Sequence, residues 1–455
     1  MPTEKISGYR FAGDIDIKRL ALINQVGEVI DLDGLVKEVS VYQDIESHYL
    51  TCDVVINDSI ALLNSSEGDR DNGLQGGFNG GEVLVVSYKT KSDDLDYITH
   101  MFGIYNVADR QRLDDKGEAY VLECISIEAY RSSTKTVSRA FGHPNGNLIS
   151  NMIRAIVNEF VYDSQVKDIT RNYREVTGTR VEKTVTIDPT NGLQRYIIPN
   201  MTPDDAIDFL SSEADSDNHI PNYVFYENST GYNFRDVNSL VQQEPKDTYT
   251  YVSTNVKDEE KDPELAVRDY QKIISFYVPK QTNILENTIG GLYRSKTINL
   301  DILKKNKTEY NFNYDREFDK FNTLQNYKIP GVVDGIPLLF MMQSRTGHDA
   351  DNLFASENHL PKRINSTINR KVSFQRHISN FTLELTVHGN SELNAGDVIY
   401  VRIPNATTVK EDDGKRDKYL SGKYLITSVR HKFGGKSGTQ FVTFLECIKD
   451  TGIDI

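Results

Sequence analysis

The chain has 455 residues, with 52 Lys and Arg against 66 Asp and Glu, for a net charge of −14. Its 38% apolar and 26% charged residues allow a packed core and exclude wholesale disorder, and at roughly 150 residues per domain the length suggests about three domains. An acidic chain without a basic tract is poorly suited to gripping phosphates, a task carried by Lys and Arg, and the longest strongly apolar run, residues 336–342, is far short of the roughly 20 residues that span a bilayer.

The N-terminal Met1, Pro2, Thr3, Glu4 and Lys5 carry no apolar signal-peptide core, so a soluble chain that stays where it is made is expected. The first 130 residues read as strands. Leu50, Cys52, Val54 and Ile56 stand at alternate positions, the period of a strand with one buried face. With residues 35–42 and the short polar connection 44–47, this run predicts a hairpin. Strand-like runs follow at 82–88, 98–107 and 119–127, the last two flanking a turn at Asp114, Asp115, Lys116 and Gly117. Five strands without an intervening helix predict a small antiparallel barrel or sandwich.

The pattern changes near residue 146. Asn147 is placed to cap a helix bearing Leu148, Ile149, Met152, Ile153, Ile156, Val157 and Phe160 on one face. Thr202, Pro203, Asp204 and Asp205 announce a second helix: a capping hydroxyl, a proline at the first position and two acids at the positive end of the dipole. Residues 223–227 and 231–234 flank Asn228, Ser229 and Thr230 as a hairpin. The polar stretch 244–269 reads as an exposed linker, after which strand-like runs resume at 272–278, 292–300, 381–387, 397–403, 423–429 and 440–448. Cys52, Cys124 and Cys447 lie singly inside such runs, which argues against a disulfide framework or zinc site and for small buried hydrophobes.

An internal repeat is the most informative feature. Gly81, Glu82, Val83, Leu84, Val85 and Val86 match Gly396, Asp397, Val398, Ile399, Tyr400 and Val401, and a glycine-bearing strand start follows each, at Gly103 and at Gly422. The closing strands share four letters, Leu122, Glu123, Cys124, Ile125 and Leu445, Glu446, Cys447, Ile448. The order of three matching blocks predicts duplication: a mainly β chain with α+β inserts, holding two similar tube-type barrels. The expected organisation is a first barrel at 1–134, an α+β insert at 135–245 and an acidic, polar linker at 246–269. The second barrel follows at 270–302 and 375–455, interrupted by an insert at 303–374. In it, the runs at Lys272 and Leu292 are expected to play the part of the first hairpin. Three copies in a ring would present six similar units, so such a chain can join a sixfold partner to a threefold one.

The paired barrels, the pattern around Asn394–Ile399 and Tyr419–Ile426, the hairpin of Phe225, Tyr226, Glu227, Gly231, Tyr232, Asn233, Phe234 and Arg235, and the run Gly290, Gly291, Leu292, Tyr293, Arg294, Ser295 and Lys296 with Leu300 and Asp301 resemble baseplate central hub proteins of contractile-tailed bacteriophages, relatives of type VI secretion spike hubs. The resemblance spans about residues 10–450 and rests on structural motifs. It implies a pseudo-sixfold homotrimeric ring in the virion baseplate, assembled in the host cytoplasm. Its partners would be the tail tube protein, the central spike protein, the tape measure protein and neighbouring baseplate subunits, with DNA passing without specific binding and no membrane insertion. The sequence ends at Ile455 soon after the second barrel, so a separate spike polypeptide is expected. Carboxylates facing the channel would repel phosphates.

No pattern for chemistry emerges. His348, Asp349 and Asp351 lack a further ligand at metal spacing. Gly76, Gly77, Gly80 and Gly81 precede no helix that could present its N-terminus to a phosphate. Asp93, Asp94 and Asp96 sit in a polar run that would not desolvate an acid, and Glu411, Asp412, Asp413 and Asp417 mix with Lys415 and Arg416 as in solvated turns. Lys304, Lys305 and Lys307 lie among acids and polar residues, which disfavours a phosphate stripe. The sequence thus predicts no catalytic, metal or cofactor residues and no cofactor, leaves the binding residues unidentified, and describes a non-enzymatic structural hub. The alternatives are a β-rich receptor- or glycan-binding tail protein and, less favoured, a baseplate-associated hydrolase.

Overall fold

The computed structural model describes residues 12–24, 27–60, 62–63, 80–92, 94–113, 117–142, 146–164, 166–167, 169, 181–217, 220–251, 269–301, 305–331, 337–343, 360–405, 416–435 and 440–451. The first seven strands are β1 (Ile15–Ile23), β2 (Val29–Asp31), β3 (Val36–Asp44), β4 (Thr51–Asp58), β5 (Val83–Thr90), β6 (Ile98–Arg112) and β7 (Glu118–Ser126), followed by helix α1 (Ile127–Ser132). The predicted hairpin is β3 and β4, and the alternation read from sequence is real: Cys52, Val54 and Ile56 are fully buried while Asp53, Val55 and Asn57 face the other way. With Leu20, Leu22, Val39, Val41, Leu84, Val86, Phe102, Ile104, Leu122 and Cys124 they form one core. Each such side chain, once buried, contributes roughly 1.5–3 kcal/mol.

The first insert contains β8 (Val137–Phe141), helix α2 (Ile149–Ile156), β9 (Thr184–Ile187), β10 (Tyr196–Met201), helix α3 (Pro203–Glu213), β11 (Tyr223–Asn228) and β12 (Gly231–Asp236). Thr202 caps α3 as expected, its hydroxyl accepting the Asp205 N–H at 3.2 Å. Asn147 does not cap α2. Leu148 holds the capping position, and the Asn147 backbone pairs with Gln194 instead.

Next come β13 (Thr248–Tyr251), β14 (Lys272–Lys280), helix α4 (Ile284–Ile289), β15 (Arg294–Asp301), β16 (Asn306–Asn313), β17 (Leu338–Gln343), helix α5 (Leu360–Ile378), β18 (Phe381–His388), β19 (Val398–Arg402), β20 (Gly422–Phe433) and β21 (Val442–Lys449). Strands β13, β14, β18, β21, β20 and β19 close into a six-stranded barrel, because β13 bonds both β14 and β19, and β19 bonds β20. Two expectations are corrected here. The run at Leu292 does not stand beside Lys272 in the barrel; its strand β15 belongs to a separate sheet, flanked by β16 and β17, and the partner of β14 is β18. The expected polar linker also contains a barrel strand, β13, whose Tyr249 is fully buried; residues 252–268 lie outside the described residues.

The duplication extends to strand order. The first unit runs β3-β4-β7-β6-β5-β1 and the second β14-β18-β21-β20-β19-β13, with both included in one 13-stranded sheet. Irregularities repeat as well. A bulge between Val36 and Glu38 on β3 corresponds to one between Ile273 and Ser275 on β14. Another between Ile104 and Asn106 on β6 corresponds to one between Ile426 and Ser428 on β20. The repeated glycines, Gly81 and Gly396, both have positive φ, and each donates its N–H to the isoleucine before that second bulge, Ile104 and Ile426.

Candidate functional site

The feature that joins the two units is a seam. Strand β20 is 12 residues long; its first part pairs with β19, and residues Ser428 to Phe433 pair antiparallel with Asp44 to Val39 of β3. The outward side chains along the seam clasp one another. Ser428 donates to Asp44 at 2.6 Å, Arg430 donates to Ser40 at 3.0 Å, and Lys432 pairs with Glu38 at 2.8 Å. The Arg430 guanidinium lies over the Tyr42 ring at 5.3 Å and the Phe444 ring at 5.5 Å, so it is held by π faces as well as by hydrogen bonds. On the inward side, Phe433 and Phe441 leave the second unit and pack into the core of the first. Around the seam, the Gln43 amide accepts the Ala395 N–H and donates to Ser229, tying both barrels to the first insert.

The face of this sheet turned away from the cores carries repeated acids. Asp53 stands directly across from Glu123, and Glu384 directly across from Glu446. Since Cys124 and Cys447 are equivalent, so are Glu123 and Glu446, and so are Asp53 and Glu384. Like charges directly opposite on neighbouring strands destabilise a sheet, yet both units retain them. The consequences show in the carboxyls. Burial, with the facing Glu123, pushes the Asp53 pKa up, and a hydrogen bond from Tyr42 and the nearby Arg430 offset only part of this. Burial likewise raises Glu446, with Glu384 and Asp44 adding to the effect. Asp44 lies between the two pairs at the seam, on a face that there also carries Arg430 and Lys432. The shared Leu-Glu-Cys-Ile letters already contained Glu123 and Glu446; their facing partners needed the strand register.

A buried ionic joint fixes the first barrel to its insert. Lys183 lies 2.6 Å from both Glu128, on α1, and Glu227, on β11, and both carboxylates are fully buried. Burial alone would lower the Lys183 pKa, but the two carboxylates raise it on balance; Glu227 is pushed up by burial, which Lys183 offsets only in part. Glu227 also accepts the Ser126 hydroxyl at 2.6 Å and the Leu50 N–H at 3.2 Å. The triad thus ties α1 and the end of β7 to β11 and to the residue before β9.

Among the described residues, those weighed for chemistry are not brought together. Asp94 and Asp96 are exposed, and Asp417 accepts the N–H groups of Tyr419 and Leu420 in a turn. His348, Asp349, Asp351, Asp93, Gly76, Gly77, Lys304 and residues 411–415 lie outside the described residues. Lys307 pairs with Glu309. Among the described residues no group of three or more His, Cys, Asp or Glu is arranged to hold a metal ion. The three thiols are buried, as their setting in apolar runs predicts. A cleft lined by Tyr293, Asp315, Phe318, Lys328 and Pro330 opens on the second insert, away from the seam.

No protein-family model and no curated protein matches the sequence. Among solved structures, the 43 kDa tail protein of prophage MuSo2 from Shewanella oneidensis is similar over 97% of this chain and 100% of its own, with a TM-score of 0.52 and 9% identity. The tail protein from Neisseria meningitidis MC58 is similar over 95% of this chain and 96% of its own, with a TM-score of 0.49 and 10% identity. A chain of the half-lidded Francisella PdpA-VgrG complex is similar over 98% of this chain and 60% of its own, with a TM-score of 0.45 and 9% identity. The fold is therefore shared with the MuSo2 tail protein along its whole length.

Proposed function

We propose that this chain is a structural, non-enzymatic subunit of a phage tail baseplate: a central hub that joins the tail tube to the central spike. In this reading three copies form a ring within the virion, assembled in the host cytoplasm, that lines a passage for the tape measure and then for DNA. The observation that carries it is the pair of barrels with one strand order, two bulges in common and one shared sheet. Two quasi-equivalent units per chain let a threefold assembly offer six similar surfaces on one side, which is what a sixfold tube requires and a threefold spike does not. The acid pairs repeated on the common sheet face fit the lining, because carboxylates repel phosphates and disfavour adhesion of DNA. The overall fold of the MuSo2 tail protein supports a place in a tail.

The test is the mass of the purified chain by light scattering, followed by electron microscopy. A particle of three 51.6 kDa subunits with an open centre and six similar lobes is expected. A compact trimer without a channel would instead favour a receptor- or glycan-binding tail protein. A chain that stays monomeric with and without spike and tube proteins would sink the hub.

A further inference from the structure

The internal repeat assigns a role to two strand edges that the chain itself leaves open. By the repeat, β6 is the equivalent of β20, and β14 the equivalent of β3. Within the chain, the far half of β20 is covered by β3. The corresponding half of β6 is not: β5 pairs with β6 only as far as Gly103, and the side of Tyr105–Asp109 away from β7 meets no strand among the described residues. Strand β14 shows the complementary vacancy. It pairs with β18 along one side, but on the other side β13 reaches only Lys272 and Ile273, and nothing among the described residues pairs with the rest. The two open edges are thus the two halves of the seam, each lacking its counterpart.

A second observation fits them to each other. On β6 an extra residue lies between Ala108 and Gln111, where Asp109 adopts φ 51°. On β14 an extra residue lies between Tyr277 and Lys280, a stretch that includes Pro279. Neither β20 nor β3 has a bulge at the equivalent place. Carried over from the seam, Lys432 opposite Ser40 becomes Gln111 opposite Tyr277, and Arg430 opposite Tyr42 becomes Ala108 opposite Lys280. Between these anchors each strand holds two residues where the seam holds one. A single insertion would throw the ladder out of register by one residue and turn the side chains to the wrong face. Two insertions at the same place keep it in step. Each edge also presents a large exposed aromatic, the residue type enriched at protein interfaces: Tyr277 is 64% and Tyr105 56% exposed.

We propose that copies of this chain join edge to edge, the far half of β6 in one copy pairing antiparallel with β14 of the next, in the register of the β3–β20 seam. This rests on the hub reading in requiring more than one copy, and it commits to which edges meet and which residues stand opposite. The seam and the junction between copies then alternate around the assembly.

Disulfide trapping tests the register. Gln111→Cys with Tyr277→Cys should yield covalent oligomers under mild oxidation that stop at a closed set, whereas either single variant and the shifted pair Gln111→Cys with Ser275→Cys should not. The native thiols give little background, because burial holds all three pKa values well up. Hydrogen exchange on the unaltered protein provides a check free of substitutions: residues 105–112 and 274–280 should be protected in the oligomer. A stable trimer in which the designed pair does not link and both segments exchange freely overturns the proposed junction and leaves the hub standing. Equal trapping of the shifted pair overturns the register. A chain that remains monomeric with its spike and tube partners overturns both readings.

Discussion

The two barrels share a plan and differ in how they close. In the second, the short strand β13 bonds β14 on one side and β19 on the other, both in parallel, and the ring is complete. In the first, β1 bonds β5 antiparallel and no ladder links it to β3 among the described residues. The short strand β2 takes up part of that space: it pairs antiparallel with Ala21–Ile23 of β1, the Leu32 N–H extends this pairing to the Leu20 carbonyl, Leu32 is fully buried, and Phe433 and Phe441 arrive from the second unit. The carboxyl-bearing ends after the closing strands differ in the same spirit. Glu128 is met by the Lys183 ammonium, whereas the buried Asp450 accepts the N–H groups of Leu324 and Gln325. Strand order and two of the bulges are common to the two units, while closure and anchoring follow whatever each unit has as a neighbour. The first barrel is therefore expected to depend on the second and on its insert far more than the reverse.

That asymmetry can be broken at its strongest point first. Lys183→Met leaves Glu128 and Glu227 buried without their cation, and removing one partner of a buried pair costs about 3–5 kcal/mol. Denaturant melts should show this loss, with exchange protection falling in β4, β7 and β11 and holding in β18 and β21. Phe441→Ala should cost about 3 kcal/mol by opening a cavity in the first core, although the residue precedes a strand of the second barrel. Equal loss of protection in both barrels would abolish the proposed dependence.

The smallest effect sharpens the likeness rather than the difference. A carboxyl whose folded pKa is raised subtracts stability above that pKa, and the penalty disappears as pH falls through it. Asp53→Asn and Glu446→Gln should therefore each stabilise the protein at neutral pH, by about 0.2–1 kcal/mol for relief of one like-charge pair, less in high salt. The gain should vanish once the pH falls below the ordinary carboxylate range. Melting temperatures of both variants at neutral and acid pH measure it, and a response in only one barrel would show that the two acid pairs are not equivalent.

Much of the fold is legible in the sequence because repetition makes it so. Glycine at 81 and 396 and the shared Leu-Glu-Cys-Ile letters mark equivalent strands by residue identity and spacing alone. Strand β1 is concealed because its bulge, between Ile17 and Arg19, shifts the alternation midway, so that Ile15 and Ile17 face the core before it and Leu20 and Leu22 after it. Strand β13 is concealed because four residues with one buried tyrosine resemble a polar loop. The mistaken partner for β14 arises because a strand-like run declares its own conformation and is silent about its neighbour. The facing members of the acid pairs are hidden for the same reason: Asp53 and Glu123 are 70 positions apart in sequence and meet only through the register of β4 with β7.

The seam between β3 and β20 also bears on how an assembly begins. Its two strands belong to one polypeptide, so they find each other at an effective concentration set by the intervening chain and unaffected by dilution. In a ring built from this chain, every second junction is already made when synthesis ends. Only the alternate ones wait on an encounter between molecules, so ring formation is third order in chains where six separate units would make it sixth. Such a particle would nucleate at far lower copy number, and would leave fewer half-built arcs, than one made from unlinked barrels.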